Sequence, residues 1–150
     1  MKGSYILTMK LKKNLEINVG SLGRIELPKG YYTYVGSALG ESVNLENRIK
    51  RHKKLNREKK GNLHWHIDYF LVNPIVDIVG LDTIVMNQRL ECKISEKLAK
   101  FATKSISKFG SSDCNCKSHF HYFKDELNLK KALKVLDDEN FNPNFERLGV

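Results

Sequence analysis

The residues best suited to chemistry lie in four places along the chain. In LENRIKRH, Leu45, Arg48, Ile49 and His52 fall at i, i+3, i+4 and i+7 of a helix, so an arginine and a histidine share its apolar stripe. A guanidinium turned toward a sheet is costly to bury unless an anion meets it, either a carboxylate or a bound phosphate; the other reading is an Arg48 that snorkels past the core edge. In LHWHIDYF, a strand reading puts Leu63, Trp65, Ile67 and Tyr69 on one face and His64, His66 and Asp68 on the other. Two imidazoles and a carboxylate in a row suit proton transfer, metal ligation or a polar cleft, and the wet face of an antiparallel sheet would carry the same row. Cys114, Cys116, His119 and His121 supply zinc donor types, but single-residue gaps are tighter than structural zinc sites favour, so inward-packed thiols are expected instead. Glu91 flanks the apolar stripe of Leu90, Ile94 and Leu98, which sets a carboxylate at the edge of a core, where it serves either the helix dipole or a site.

These side chains need elements to position them. Gly3–Leu11 reads as a strand, with Tyr5, Leu7, Met9 and Leu11 on one face. Further short strands are expected at 15–19, 24–27 and 31–35, separated by GSLG and PKG, which have turn composition. Helices follow at 45–55, 87–104 and 126–136, with strands at 63–71 and 119–123 and a loop over FGSSDCNC at 109–116. The last dozen residues are expected to fray or wrap the surface. This order predicts an α/β fold, a small mixed or antiparallel sheet flanked by helices.

Composition bounds the function classes. The 150 residues fit one domain, and 41% hydrophobic against 29% charged residues with three prolines argues against a disordered chain. No run approaches the roughly 18 apolar residues of a membrane span. The apolar stretch in MKGSYILTMKLKK is short and interrupted by Thr8 and Lys10, so no export signal is expected. An odd count of three cysteines argues against a disulfide framework and for the cytoplasm. The formal net charge is +9, and it has a location: RIKRHKKLNREKK, 48–60, sets eight basic residues against Glu58, whereas 124–150 carries a slight acidic excess. A polyanion is the partner such a stretch invites.

GSY at 3–5, YVG at 34–36, Arg48 and His52 in one helix, and Glu91 at the start of the next together resemble the GIY-YIG nuclease superfamily. The phrases YTYVGSA, LENRIKRH, HWHIDYF and FGSSDC are similar to its Uri-type endonuclease branch, long labelled a domain of unknown function. The resemblance covers about 3–123, a nuclease domain, and leaves 124–150 as a C-terminal helical extension. It implies a metal-dependent phosphodiesterase that cuts DNA, with RNA the alternative, in repair or in processing branched structures, using one Mg2+ or Mn2+ ion. By resemblance, Tyr5 and Tyr34 stand on adjacent strands beside the phosphate, one of them positioning or deprotonating water. Arg48 neutralises phosphoryl charge, His52 assists proton transfer or phosphate binding, and Glu91 holds the cation. Lys50, Arg51, Lys53, Lys54, Arg57, His64 and His66 would meet nucleic acid. Tyr5 and Tyr34 are 29 positions apart, wider than the superfamily's hairpin, so an inserted hairpin between the two motif strands is expected. A non-catalytic DNA- or RNA-binding module keeping the same groove, and a zinc-stabilised interaction domain, are the competing readings.

Overall fold

Alternating side chains give the strands Gly3–Leu11 and Gly30–Ala38 two buried faces, and helices cover both in a three-layer arrangement. The computed structural model describes residues 1–40, 44–86, 88–111, 116–138 and 144–146. Strands β1 (Gly3–Leu11), β2 (Leu15–Asn18), β3 (Arg24–Leu27) and β4 (Gly30–Ala38) precede helices α1 (Leu45–Glu58) and α2 (His66–Leu71). Strand β5 (Val76–Val85), helix α3 (Glu91–Ala99), β6 (Lys104–Ser105), β7 (Phe120–Phe123), α4 (Glu126–Asp138) and β8 (Asn144–Glu146) complete the order. One antiparallel sheet runs β6-β7-β4-β1-β5-β8. The β2-β3 hairpin forms its own small sheet between the two motif strands, as the wide tyrosine spacing predicts.

The alternation of β1 and β4 divides the core. Tyr5, Leu7, Met9, Tyr32 and Tyr34 face the side covered by α1 and α2, where they pack with Leu45, Leu55, Ile67 and Phe70. Ile6 and Val35 face the other side, against Leu90, Ile94 and Leu98 of α3 and Leu129, Ala132 and Leu136 of α4. The stripes containing Leu45 and His52 in α1 and Leu90, Ile94 and Leu98 at α3 therefore face the core. Among the described residues no helix is long and apolar enough to cross a membrane.

Three expectations are corrected. The segment 63–71 is not a strand: α2 begins at His66, with Ile67, Phe70 and Leu71 buried at helical spacing. Asp68 decides this, because its carboxylate accepts the backbone N–H groups of His64 (2.7 Å) and Trp65 (2.9 Å), capping the helix start that an alternating strand would not need. The helix expected over 87–104 is shorter, Glu91–Ala99, and 76–85, assigned to no element in the sequence, is β5, the neighbour of β1; Gly80 and Asp82 interrupt its apolar alternation, and its register shifts opposite Thr8/Met9. In the tail, β8 pairs with β5, so that part of the terminal segment is a strand of the sheet.

Helix α1 is held at both ends and along its length. Asn44 caps it, accepting the Asn47 N–H at 2.9 Å, and Lys59 closes it in the left-handed region. Asn56 ties it to β5: the amide donates to the carbonyls of Leu71 (3.0 Å) and Val76 (2.8 Å) and accepts from Ile78 N–H (3.1 Å). These bonds fix the rotation that turns Arg48 and His52 inward.

Candidate active site

At the ends of β1 and β4 a cleft of about 590 Å³ opens between α1, the 64–66 loop and the first turn of α3. Tyr34, Ser37, Arg48, Glu91, Trp65 and His119 are among its walls. Tyr34 lies on β4 beside β1, its ring centroid 6.4 Å from that of Tyr5. Tyr5 has no exposed surface; it stands behind the wall, its hydroxyl 2.7 Å from His52 Nε2. The His52 and Tyr34 rings are 6.2 Å apart. All five residues singled out in the sequence thus belong to one cleft and the layer directly behind it.

Ser37 joins two of them. Its carbonyl accepts from Arg48 Nη1 at 3.1 Å, and its hydroxyl donates to Glu91 Oε2. Arg89 Nη1 lies 3.7 Å from Glu91 Oε1. Sequence reasoning passed over Ser37, although it directly follows YVG. Trp65 was also misplaced, since alternation put it in the core. It is instead 37% exposed at the cleft edge, with the guanidinium carbons of Arg48 and Arg51 4.4 and 4.6 Å from its ring centroid.

Burial sets the protonation states behind the wall. It pushes the Tyr5 hydroxyl well above the ordinary phenol value, Tyr34 nearby adds to this, and Arg48 opposes it. Burial likewise lowers His52 to about 3; Asp68 opposes, while Arg48 and Arg51 assist. Near pH 7 a protonated phenol and a neutral imidazole therefore share one hydrogen bond, between the Tyr5 hydroxyl and His52 Nε2. Among the described residues neither His52 Nδ1 nor Arg48 Nε has a hydrogen-bond partner, although both are buried. Such orphans cost roughly 1–3 kcal/mol each and mark a site shaped for something other than stability.

His52 and His121, the latter lowered to about 4 by burial and the neighbouring His119, make stability pH-dependent. The unfolded chain binds these protons below about pH 6.5 while the folded chain does not. Stability therefore falls as pH drops from 6.5 toward 4, by about 1.4 kcal/mol per pH unit for each histidine. Urea unfolding between pH 7 and pH 4.5 checks this: His52→Gln is expected to remove about one proton from the slope, and an unchanged slope would contradict it.

Gly36 is dictated by Tyr5. A Cβ there would lie 2.4 Å from the Tyr5 hydroxyl oxygen and Cζ, so Gly36→Ala must expel the ring and break the bond to His52. We expect a loss of about 1–3 kcal/mol in urea unfolding, and an unmoved midpoint would contradict the packing. Gly110, at φ +73, brings its N–H within 2.9 Å of His66 Nδ1 and so leaves the His66 proton on Nε2.

The cations of α1 divide into two sets. Lys50, Lys54 and Arg57 are exposed and Lys53 half-buried, on the side of the helix away from Leu45, His52 and Leu55. Arg51 turns inward: Nη1 and Nη2 each lie 2.8 Å from the fully buried Asp68 carboxylate, and Nη2 also donates to Asn62 O. Burial alone would raise Asp68, but the Arg51 hydrogen bonds and the Trp65 and His64 N–H groups outweigh it and hold it below the ordinary carboxylate value. The expected row of His64, His66 and Asp68 is thus broken. The two histidines line the cleft, and the carboxylate points into the protein.

Glu91 is the one carboxylate among the described residues lining the cleft, and a serine hydroxyl stands beside it. These are hard oxygen donors, the kind that holds Mg2+ or Mn2+ with one carboxylate and leaves its other positions to water and phosphate. The residues present fit such an ion.

Beside Glu91 and His119 the cysteine expectations need correction. Cys92, next to Glu91, is joined to Cys116 by a disulfide, where the odd count suggested none. Of the four residues weighed for zinc, His121 turns to Ser95 and Ser105, and Cys114 lies outside the described residues. A family model described as "Domain of unknown function DUF123" matches residues 4–140. The chain belongs to the DUF123 family. That match takes in every wall of the cleft and the whole of α4, so in this DUF123 chain the site and both helical layers lie within the family's span. No curated protein and no solved structure matches the chain.

Proposed function

We propose that this DUF123 chain is a metal-dependent endonuclease of the GIY-YIG kind, Uri-type branch, which cuts DNA phosphodiester bonds. One observation carries the reading: Tyr34, Arg48 and Glu91 border a single cleft, with Tyr5 and His52 bonded to each other directly behind it. They come from β1, β4, α1 and α3, and nothing in local folding requires them to meet.

Phosphodiester cleavage builds negative charge on the non-bridging oxygens, so a fixed cation facing the cleft stabilises the transition state more than the ground state. Arg48 has that placement, braced by the Ser37 carbonyl and the Trp65 ring. Glu91 would hold the divalent ion, which when bound supplies Lewis acidity and lowers the pKa of water. Of the two tyrosines, Tyr34 borders the cleft and orients the attacking water. Tyr5 is enclosed, keeps its proton, and sets the position of His52. Lys50, Lys54 and Arg57 extend the positive surface along which a nucleic acid backbone would lie. Shape rather than base identity would be read, since the sequence shows no zinc-finger motif or evident recognition helix.

The test is incubation of the full chain with single-stranded, duplex, flap and junction DNA in Mg2+ or Mn2+. Metal-dependent cleavage of at least one of these is expected. Salt-sensitive binding with no product under any condition would reject the enzyme and leave the non-catalytic binding module.

A further inference from the structure

The first turn of α3 carries two different kinds of metal donor side by side. Glu91 offers oxygen to the cleft, while Cys92 turns to the segment that leads into β7. There His119, only 4% exposed, places Nε2 3.0 Å from Cys116 Sγ and 3.7 Å from Cys92 Sγ. The three donor atoms lie within 4.8 Å of one another. Around a tetrahedral zinc ion, with bonds of about 2.3 Å to sulfur and about 2.0 Å to nitrogen, sulfur and nitrogen ligands stand about 3.5 Å apart. The two sulfur-to-nitrogen distances bracket that value.

We propose that, once the disulfide is open, Cys92, Cys116 and His119 bind a thiophilic divalent ion of the zinc class, distinct from the oxygen-bound ion assigned to Glu91. Two thiolates and an imidazole select zinc over magnesium, whereas a lone carboxylate does the reverse. Local spacing could not reveal the site, because Cys92 comes from another element 24 positions before Cys116. The bound ion clamps the turn that begins with Glu91 to the 116–119 segment, whose His119 also lines the cleft. Disulfide and metal exclude each other, since each needs the same two sulfurs. The site does not depend on the proposed cleavage, and its test uses no nucleic acid.

A phosphine reductant opens the bond: the phosphorus is oxidised, taking oxygen from water, and the disulfide becomes two thiols, whose protons leave as the ion binds. The reduced full chain is then titrated with Co2+ in the absence of oxygen. One equivalent should bind, giving a thiolate-to-cobalt charge-transfer band and the visible spectrum of a tetrahedral ion, and Zn2+ should displace it. Cys92→Ser, Cys116→Ser and His119→Gln should each weaken binding by more than the roughly 10–100-fold that loss of an outer partner costs. Circular dichroism of each variant confirms its fold, and an arm without substitutions accompanies them: the oxidised chain, its disulfide verified by mass, should give no band. A reduced chain without the charge-transfer band overturns the proposal. So does a band that persists in the oxidised chain, or one undiminished in folded Cys92→Ser and His119→Gln.

Discussion

Glu91→Gln is expected to lower metal-dependent DNA cleavage by at least about 100-fold while leaving metal-free DNA binding close to that of the parent. The substitution keeps the side chain's shape and its bond to the Ser37 hydroxyl, and removes the charge that a divalent ion requires. Binding should survive because the exposed cations sit on α1, away from α3. Arg48→Lys separates charge from geometry at the same cleft. It keeps the positive charge but loses the planar fork that meets the Ser37 carbonyl and lies over Trp65, so a fall of about 10²–10³ in cleavage rate is expected. Single-turnover rates on the best DNA of the panel read both. Parent-like cutting by Glu91→Gln would remove the metal role from this residue.

Arg51→Ala is the largest expected loss of stability, about 3 kcal/mol or more. Asp68 is fully buried and accepts two hydrogen bonds from the Arg51 guanidinium and two from backbone N–H groups. Removing the arginine leaves a carboxylate with half its partners and no counter-charge, the situation in which breaking a buried pair costs most. The Arg51 side chain is itself 28% exposed, which is why the lower end of that range applies. Arg51→Lys should recover only part, because an ammonium cannot meet both carboxylate oxygens as the fork does. Urea unfolding at pH 7 reads these values; a loss below about 1 kcal/mol for Arg51→Ala would show that the pair does not hold the 64–66 loop.

That arginine illustrates what a sequence can and cannot convey. Periodicity placed Leu45, Arg48 and His52 on one stripe correctly, since helical spacing depends only on neighbours in the chain. It could not tell which of the cations beside them turns toward a buried carboxylate 17 positions on, because that choice depends on where α2 packs. The α2 segment misled for a related reason: Ile67, Phe70 and Leu71 fit a helix, but the two histidines around Trp65 mimic alternation, and only the capping carboxylate decides. β5 was missed because a glycine and an aspartate break its apolar alternation in the middle. Ser37 and the Cys92–Cys116–His119 group arise from elements meeting across the sheet, for which no local pattern exists.

The central claim is that one cleft gathers a cation bound by Glu91 and a DNA phosphate against Arg48. Anomalous scattering from a crystal grown with Mn2+ and DNA tests it most directly. The account predicts manganese directly coordinated by a Glu91 carboxylate oxygen and a backbone phosphate between it and the Arg48 guanidinium, with Tyr34 facing the attacked phosphorus. Manganese bound away from Glu91, or a DNA backbone seated on another surface with the cleft left clear, would contradict it.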